Sequence, residues 1–164
     1  MTDAQQTLKK WIDESNYIVF FGGAGVSTES NIPDFRSTDG LYNQKYKYPP
    51  ETILSHSFFI RYPEEFYEFY RDKMIYTDAM PNKAHYALAR LEELGKLKAV
   101  ITQNIDGLHQ AAGSKAVYEL HGTIMKNYCT RCGREYPLEA VTKSTGIPRC
   151  IVKDASGGAC NGII

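Results

Sequence analysis

The amino-acid sequence predicts an α/β fold in which a parallel, Rossmann-like sheet carries a helical insertion and a small module built around four cysteines. Short continuous apolar runs, typical of strands buried in a parallel sheet, recur along the chain with amphipathic helical segments between them. All four cysteines lie between positions 129 and 160, at spacings typical of a metal-binding module.

Length and composition narrow the class of protein. The 164 residues suffice for one ordinary domain, with or without a small appendage. The formal net charge is zero, which argues against direct binding to nucleic acid or to an anionic membrane. No apolar stretch approaches the roughly 20 residues that span a bilayer, and the first residues lack the apolar core of a secretory signal. We therefore expect a cytoplasmic protein without nucleic-acid or membrane partners.

The chain begins with a predicted helix and a predicted strand. Apolar residues at helical spacing over 3–14, including Leu8 and Trp11, predict an amphipathic helix packed against the rest of the protein. The run YIVFF at 17–21 predicts a strand buried on both faces. A glycine-rich turn follows this strand directly.

A tyrosine-rich segment punctuated by prolines, at 43–80, predicts an insertion of short helices. After it, Asn82 is a suitable cap for a helix over 83–94, and Gly95 is a natural stop for that helix.

Two further apolar runs, KAVIT at 98–102 and AVYEL at 116–120, predict the second and third strands. The order strand, helix, strand implies a crossover connection and hence a parallel sheet. The sequence therefore divides into three predicted parts. They are a Rossmann-like part at 1–42 and 81–122, a helical insertion at 43–80, and a cysteine-bearing module at 123–164.

The glycine-rich stretch after the first strand reads GGAGVSTESNIPDFRS, at 22–37. Gly23 and Gly25 match the first two glycines of a dinucleotide-binding loop, but Thr28 occupies the place of the third. The match is partial, so the residues allow either a phosphate-binding loop or a turn that leads into a helix.

The end of the same stretch is more informative than its glycines. Asp34, Phe35 and Arg36 place an acid, an aromatic ring and a fixed cation next to one another. A site that closes over a cationic aromatic ring and a phosphate uses each of these groups.

Polar residues also follow the second and third strands. Gln103, Asn104 and Asp106 come directly after KAVIT and suit a sugar hydroxyl and an amide, although a polar turn closed by Gly107 explains them equally well. His121 follows the third strand and is the best candidate for a general base, with a structural histidine as the alternative. The other three histidines have no such setting and are interpreted as structural. They are His56, His85 and His109.

The cysteines form two pairs. Cys129 and Cys132 make a C-x2-C knuckle, and seventeen residues separate them from Cys150, within the range of zinc ribbons. Nine residues separate Cys150 from Cys160, a wider second pair than usual. Four thiolates leave no open coordination position, so we predict structural zinc, with a disulfide or free thiols as alternatives.

Taken together, GAGVSTESNIPDFRS, TQNIDGLH, ELHGT and the four-cysteine module resemble the sirtuins, NAD-dependent protein deacylases, and most closely the bacterial members. The resemblance covers essentially the whole chain. It implies that Ala24, Thr28 and Arg36 belong to the NAD loop and that Phe35 shields the reacting ribose carbon.

The same resemblance implies roles at the other strand ends. Gln103 and Asn104 hold the nicotinamide ribose, and Ile105 and Asp106 line the nicotinamide pocket. His121 is the catalytic base, with Asn104 beside it in the catalytic set. NAD is then a co-substrate, structural zinc is bound by the four cysteines, and the partner is an acetyl-lysine protein or peptide.

The implied reaction transfers an acetyl group from lysine to ADP-ribose with release of nicotinamide. Sirtuins that prefer succinyl groups carry a tyrosine and an arginine three residues apart, where this sequence has Tyr70 and Lys73, which favours plain deacetylation. Sirtuins normally continue beyond the fourth cysteine with strands that complete the sheet, so we expect an incomplete sheet here. A non-catalytic zinc-bearing fragment or binding module is the alternative function, and an NAD dehydrogenase is disfavoured because the third glycine is missing.

Overall fold

A computed structural model describes residues 1–35, 40, 46–153 and 157–164. The chain divides into two compact units, one of Met1–Asp34 with Asp78–Gly122 and the other of Phe35–Thr77 with Thr123–Ile164. None of the described helices is long and apolar enough to cross a membrane.

The first unit is built on a three-stranded parallel sheet, which confirms the predicted fold class. Its strands are β1 (Ile18–Gly22), β2 (Leu97–Thr102) and β3 (Val117–Glu119), in the spatial order β1-β2-β3. The strands begin and end within a residue or two of the predicted runs. Central β2 is the most buried strand, and its Leu97 and Val100 lie in the core.

Helix α1 (Asp3–Glu14) begins at a capping box, in which the Thr2 hydroxyl accepts from the Gln5 N–H while the Gln5 side chain accepts from the Thr2 N–H. The prediction that this helix packs against the protein is wrong for the described residues, because α1 buries none of its side chains. Trp11, for example, is 63% exposed.

The prediction that the first strand is buried on both faces is also wrong. Val19 and Phe21 lie on one face of β1 and are 49% and 61% exposed. Tyr118 of β3 shares their row across the sheet and is exposed as well. The opposite face carries Phe20, whose ring contacts His109. A strand pattern that is apolar on both faces therefore has one face largely uncovered in the described part of the chain.

Helix α5 (Lys83–Glu93) lies between β1 and β2 in the chain, as the sequence predicted. Asn82 caps it by accepting from the Ala84 N–H, and Gly95 follows it with φ +71°, a backbone conformation that favours glycine. Near its end, the Glu92 carboxylate accepts the N–H groups of Lys115 and Ala116, each at 2.8 Å. These two bonds fix the residues that lead into β3.

The second unit contains the predicted short helices, α2 (Pro50–Ile53), α3 (His56–Arg61) and α4 (Pro63–Lys73). Ile53, Phe58 and Phe69 form their buried core, and tyrosine and phenylalanine rings pack around it at centroid distances of 5–6 Å.

The cysteine-bearing residues belong to this same unit. They form the antiparallel pair β4 (Lys126–Tyr128) and β5 (Glu135–Pro137), followed by the short helix α7 (Glu139–Thr142). Arg71 of α4 donates to the Val141 carbonyl at 3.0 Å and to the Ser144 hydroxyl at 2.8 Å.

The division of the chain into three parts at 42, 80 and 122 stays a prediction. A short helix α6 (Leu108–Ala111) completes the described helices, and it lies in the first unit.

Candidate functional site

The carboxyl ends of the three parallel strands lie level with one another. Gly22, Thr102 and Glu119 are register partners across the sheet. Just beyond them, Gln103 N–H donates to the Gly22 carbonyl and Leu120 N–H donates to the Thr102 carbonyl, both at 2.9 Å. The three polar segments singled out in the sequence therefore start from one edge of the sheet, which is where open parallel sheets bind ligands.

The glycine loop forms two short 3₁₀ turns, Ala24–Val26 and Thr28–Ser30, rather than the long helix of an ordinary Rossmann unit. Gly23 lies close to the second strand end, since a Cβ there would approach the Gln103 side-chain oxygen to 3.3 Å. A Cβ at Gly25 would meet open space, so this backbone is accessible to a ligand. Ala24 is half-buried and Thr28 is exposed.

Ser27 is the centre of a polar network that links the first two strand ends. Its hydroxyl is fully buried, donates to Asp106 Oδ2 at 2.6 Å and accepts from Asn104 Nδ2 at 2.9 Å. Asp106 Oδ1 also accepts the Leu108 N–H at 2.9 Å, at the start of α6. The network brings together residues 79 positions apart in the sequence, and it holds Asn104 and Asp106 in fixed orientations.

These bonds show that Asp106 and Asn104 do satisfy local groups, as the polar-turn interpretation predicted. Asn104 N–H, for instance, donates to the Thr102 hydroxyl at 3.0 Å. A carboxylate and an amide have further lone pairs and N–H groups for a ligand, so the two interpretations are compatible. Gln103 is exposed beside them, and Ile105 is half-buried.

Asn82 ties helix α5 to the glycine loop, a role that sequence reasoning missed. Besides capping α5, its side-chain amide donates to the Val26 carbonyl at 2.7 Å and to the Ser30 hydroxyl at 3.1 Å. The sequence signal for the cap was clear, but nothing in the sequence showed the second use of the same side chain.

Two buried imidazoles lie near this network. His85 and His109 are 0% and 1% exposed, with ring centroids 4.7 Å apart. Burial, together with His85, lowers the pKa of His109 to about 4, although Asp106 acts in the opposite direction. Burial likewise lowers the pKa of His85, whose Nδ1 accepts the Asn82 N–H. Both rings are neutral at pH 7, which agrees with a structural interpretation.

The remaining predicted residues of the NAD site differ in their exposure and in the unit to which they belong. His121 is exposed in the turn after β3, where Gly122 has φ +78° and permits the reversal. Asp34 and Phe35 are half-buried, Asp34 as the last residue of the first unit and Phe35 as the first of the second. Arg36 lies outside the described residues.

The four cysteines lie together at the tip of the β4–β5 pair. Their sulfur atoms are all within 4.8 Å of one another, with Cys129–Cys160 and Cys132–Cys150 distances of 3.6 and 3.7 Å. A tetrahedral Zn²⁺ with Zn–S bonds of about 2.3 Å places its sulfurs about 3.8 Å apart. The wide spacing of Cys150 and Cys160 in the sequence is therefore no obstacle to a tetrahedral site.

The charges of this cluster also favour a metal. Burial acts to raise the pKa of the Cys129 thiol, but the N–H groups of Cys132 and Arg131 bring it to about 6. The Arg134 N–H acts to lower the pKa of Cys132, yet burial and the neighbouring sulfurs raise it to about 11. A divalent cation between the sulfurs would stabilise all four as thiolates, so metal binding would release the protons that the free thiols hold.

Comparison with known proteins gives one consistent family. A model of the Sir2 family matches residues 23–164. An NAD-dependent protein deacetylase of Clostridium acetobutylicum is 63% identical over 161 residues, and one of Clostridium perfringens is 56% identical over 166 residues. These matches cover 96% and 100% of this chain but 64% and 65% of the relatives, so the chain spans a little under two thirds of their length.

Solved structures give the same result. A structure described as the structural basis of sirtuin substrate affinity is 42% identical with a TM-score of 0.81, covering 99% of this chain and 63% of that one. A Sir2 variant with a deacetylated p53 peptide and 3′-O-acetyl-ADP-ribose is 41% identical with a TM-score of 0.81, covering 98% and 64%. A Sir2 homologue variant with ADP-ribose is 41% identical with a TM-score of 0.79, covering 100% and 63%.

Proposed function

Because this chain belongs to the Sir2 family, we propose that it carries the NAD-binding and catalytic residues of an NAD-dependent protein-lysine deacetylase. The observation that carries the proposal is the convergence of three sequence motifs on one edge of a parallel sheet. Curated relatives named as NAD-dependent protein deacetylases, and a related structure with ADP-ribose, support it.

In this proposal the first strand end binds the phosphates of NAD and shields the reacting carbon of the nicotinamide ribose. Gly23 and Gly25 bring the backbone close to the ligand, and the open space above Gly25 leaves room for it. The remaining proposed contacts of this loop are Ala24, Thr28, Asp34, Phe35 and Arg36.

The second strand end binds the nicotinamide ribose and the nicotinamide. Gln103 and Asn104 supply hydrogen-bonding groups for the ribose, and Ile105 and Asp106 line the nicotinamide pocket. The buried Ser27 hydroxyl holds Asn104 and Asp106 in place before any ligand arrives, which reduces the cost of ordering them on binding.

His121 is the proposed general base. A neutral imidazole has one ring nitrogen that can accept a proton, so His121 is proposed to take the proton of a ribose hydroxyl. NAD supplies an anomeric carbon from which nicotinamide departs, and the proposed role of the Phe35 ring is to exclude water from that carbon. Asn104 orients the ribose for the same step.

Zinc is proposed to be structural. The four cysteine sulfurs match a closed tetrahedral site, so they would hold the metal without leaving a position for substrate. The metal would then stabilise the β4–β5 pair and contribute no step to the reaction.

The proposed substrate is an acetyl-lysine protein or peptide in the cytoplasm. A related structure contains a deacetylated p53 peptide, which supports a peptide substrate. Lys73, in place of the arginine of succinyl-preferring sirtuins, supports acetyl as the acyl group. Its ammonium already pairs with Asp72 at 2.9 Å.

The test is nicotinamide release from NAD in the presence of an acetyl-lysine peptide. We expect release by the zinc-loaded protein to fall at least a hundredfold in His121→Ala. His56→Ala is the matched control, since His56 is exposed in α3 and has no proposed role. Equal activity of the His121→Ala variant and the wild type would contradict the assignment of the base.

A further inference from the structure

The hydroxyl of Tyr136 lies directly against one of the four cysteine sulfurs. Tyr136 is the central residue of β5, paired with Asn127 across the β4–β5 ladder. Its Oη is 3.0 Å from Cys150 Sγ, and its ring packs against the buried cluster that contains the cysteines. Tyr136 is thus held both by the pairing of β5 with β4 and by the packing of its ring against the cluster.

A second hydrogen bond fixes the direction of the hydroxyl proton. The Ile151 N–H donates to Tyr136 Oη at 3.3 Å. A tyrosine hydroxyl has one proton and accepts through its lone pairs. Because the Ile151 N–H occupies an acceptor position, the hydroxyl proton is left to point at the Cys150 sulfur.

The Cys129 sulfur, by contrast, is contacted by backbone groups. The N–H groups of Arg131 and Cys132 approach it at 3.4 and 3.5 Å, a consequence of the turn between the two knuckle cysteines. Any residue type except proline supplies the same N–H groups in that turn. At Cys150 the 3.0 Å contact depends on one particular side chain, so it is open to substitution.

We infer that Tyr136 is a positioning residue of the metal centre, whose hydroxyl donates to the Cys150 thiolate and strengthens metal retention. The inference rests on the proposed zinc site. A hydrogen bond to a metal-bound thiolate orients the ligand and spreads its negative charge, which stabilises the bound state of a site crowded with four anionic sulfurs. Residues in such contact typically change metal affinity by about 10- to 100-fold when they are replaced.

The test compares Tyr136→Phe with Tyr128→Phe. Tyr128 lies on the partner strand, and its hydroxyl donates to Glu135 rather than to a sulfur. We expect Tyr136→Phe to lower zinc affinity about tenfold in competition with a chromophoric chelator, and Tyr128→Phe to change it less than twofold. In the Co²⁺-loaded proteins, the sulfur-to-cobalt charge-transfer band should move to lower energy in Tyr136→Phe alone, because the thiolate loses a hydrogen bond.

Wild-type zinc affinity and an unmoved cobalt band in Tyr136→Phe would overturn the inference while leaving the zinc site intact. A wild-type protein that binds no zinc would overturn both. A measurement on the unsubstituted protein guards against a variant that fails to fold. In the ¹¹³Cd-loaded wild type, we expect the Tyr136 hydroxyl proton to exchange slowly with water and to couple to ¹¹³Cd. A proton exchanging as fast as that of Tyr128 would contradict the inference.

Discussion

The strand-end network and the cysteine cluster are assembled by different kinds of force. Ser27, Asn104 and Asp106 are joined by hydrogen bonds between neutral dipoles and one carboxylate, and their geometry is satisfied without any added ion. Two pairs of cysteine sulfurs approach one another to 3.6–3.7 Å, and a cation between the four sulfurs would allow all of them to be thiolates. One site is therefore preorganised by the protein, and the other is completed by its metal.

This difference between the two sites matches their different proposed roles, one in binding a co-substrate and the other in stabilising the fold. A site held by hydrogen bonds persists when a ligand leaves, which suits a co-substrate that binds and departs in each cycle. A site held by a metal contributes the metal's binding energy to folding, which suits a part of the protein that supports structure.

Metal removal is expected to give the largest effect. Structural zinc sites in small peptides carry apparent binding energies of about 10–16 kcal/mol. Chelation should therefore remove hydrogen-exchange protection from the amides of β4 and β5, while the amides of β1 and β2 keep theirs. Equal loss of protection in both regions would show that the two sites do not differ as described.

Acidification should destabilise the first unit through its buried histidines. The pKa of His109 is about 4 in the folded protein and 6.5 ordinarily, so the unfolded chain binds the extra proton between these values. The stability associated with neutral His109 is complete above pH 6.5 and is lost as the pH falls towards 4, by about 3 kcal/mol.

The measurement is the free energy of unfolding in urea at several pH values for the wild type and His109→Phe. Loss of zinc at low pH affects both proteins and cancels in their difference. We expect the pH dependence between 4 and 6.5 to be shallower in His109→Phe, and parallel curves would contradict this role for His109.

Loss of the Ser27 hydroxyl should give a smaller effect. Ser27→Ala removes the partner of an Asp106 oxygen and of the Asn104 amide, which are half-buried, and the loss costs about 1–3 kcal/mol. Thr28→Ala is the control in urea unfolding, because Thr28 is exposed and its hydroxyl donates to the nearby Gly25 carbonyl. If both variants were equally stable, the network would not be the support of this site.

The sequence predicted the parallel sheet and the position of each strand because local patterns determine these features. The run at 98–102 has three consecutive apolar residues at its centre, Ala99 to Ile101, and Asn82 and Gly95 are strong helix boundaries. The cysteine cluster could be predicted equally well, because the C-x2-C knuckle and the length of the gap after it can be read directly from the sequence.

Other features depend on contacts between distant residues, and no local pattern reports them. The sequence pointed to Asp106 but not to its bond with Ser27, and it pointed to Asn82 as a cap but not as an anchor of the glycine loop. The apolar spacing in α1 and the continuous apolar run in β1 correctly predicted a helix and a strand. Both patterns overestimated burial, because they report which side chains are apolar and not whether another element covers them.

The proposed NAD site lies at the three strand ends, and the hydrogen bonds of Ser27 prepare the first two of them before NAD binds. Calorimetric titration of NAD into the zinc-loaded protein tests it most directly, with Asn104→Ala as the variant and the exposed Gln110→Ala as its control. We expect saturable binding by the wild type and by Gln110→Ala, and binding about tenfold weaker in Asn104→Ala, a loss of about 1.4 kcal/mol. Absence of binding by the wild type, or equal affinity in all three proteins, would contradict the claim.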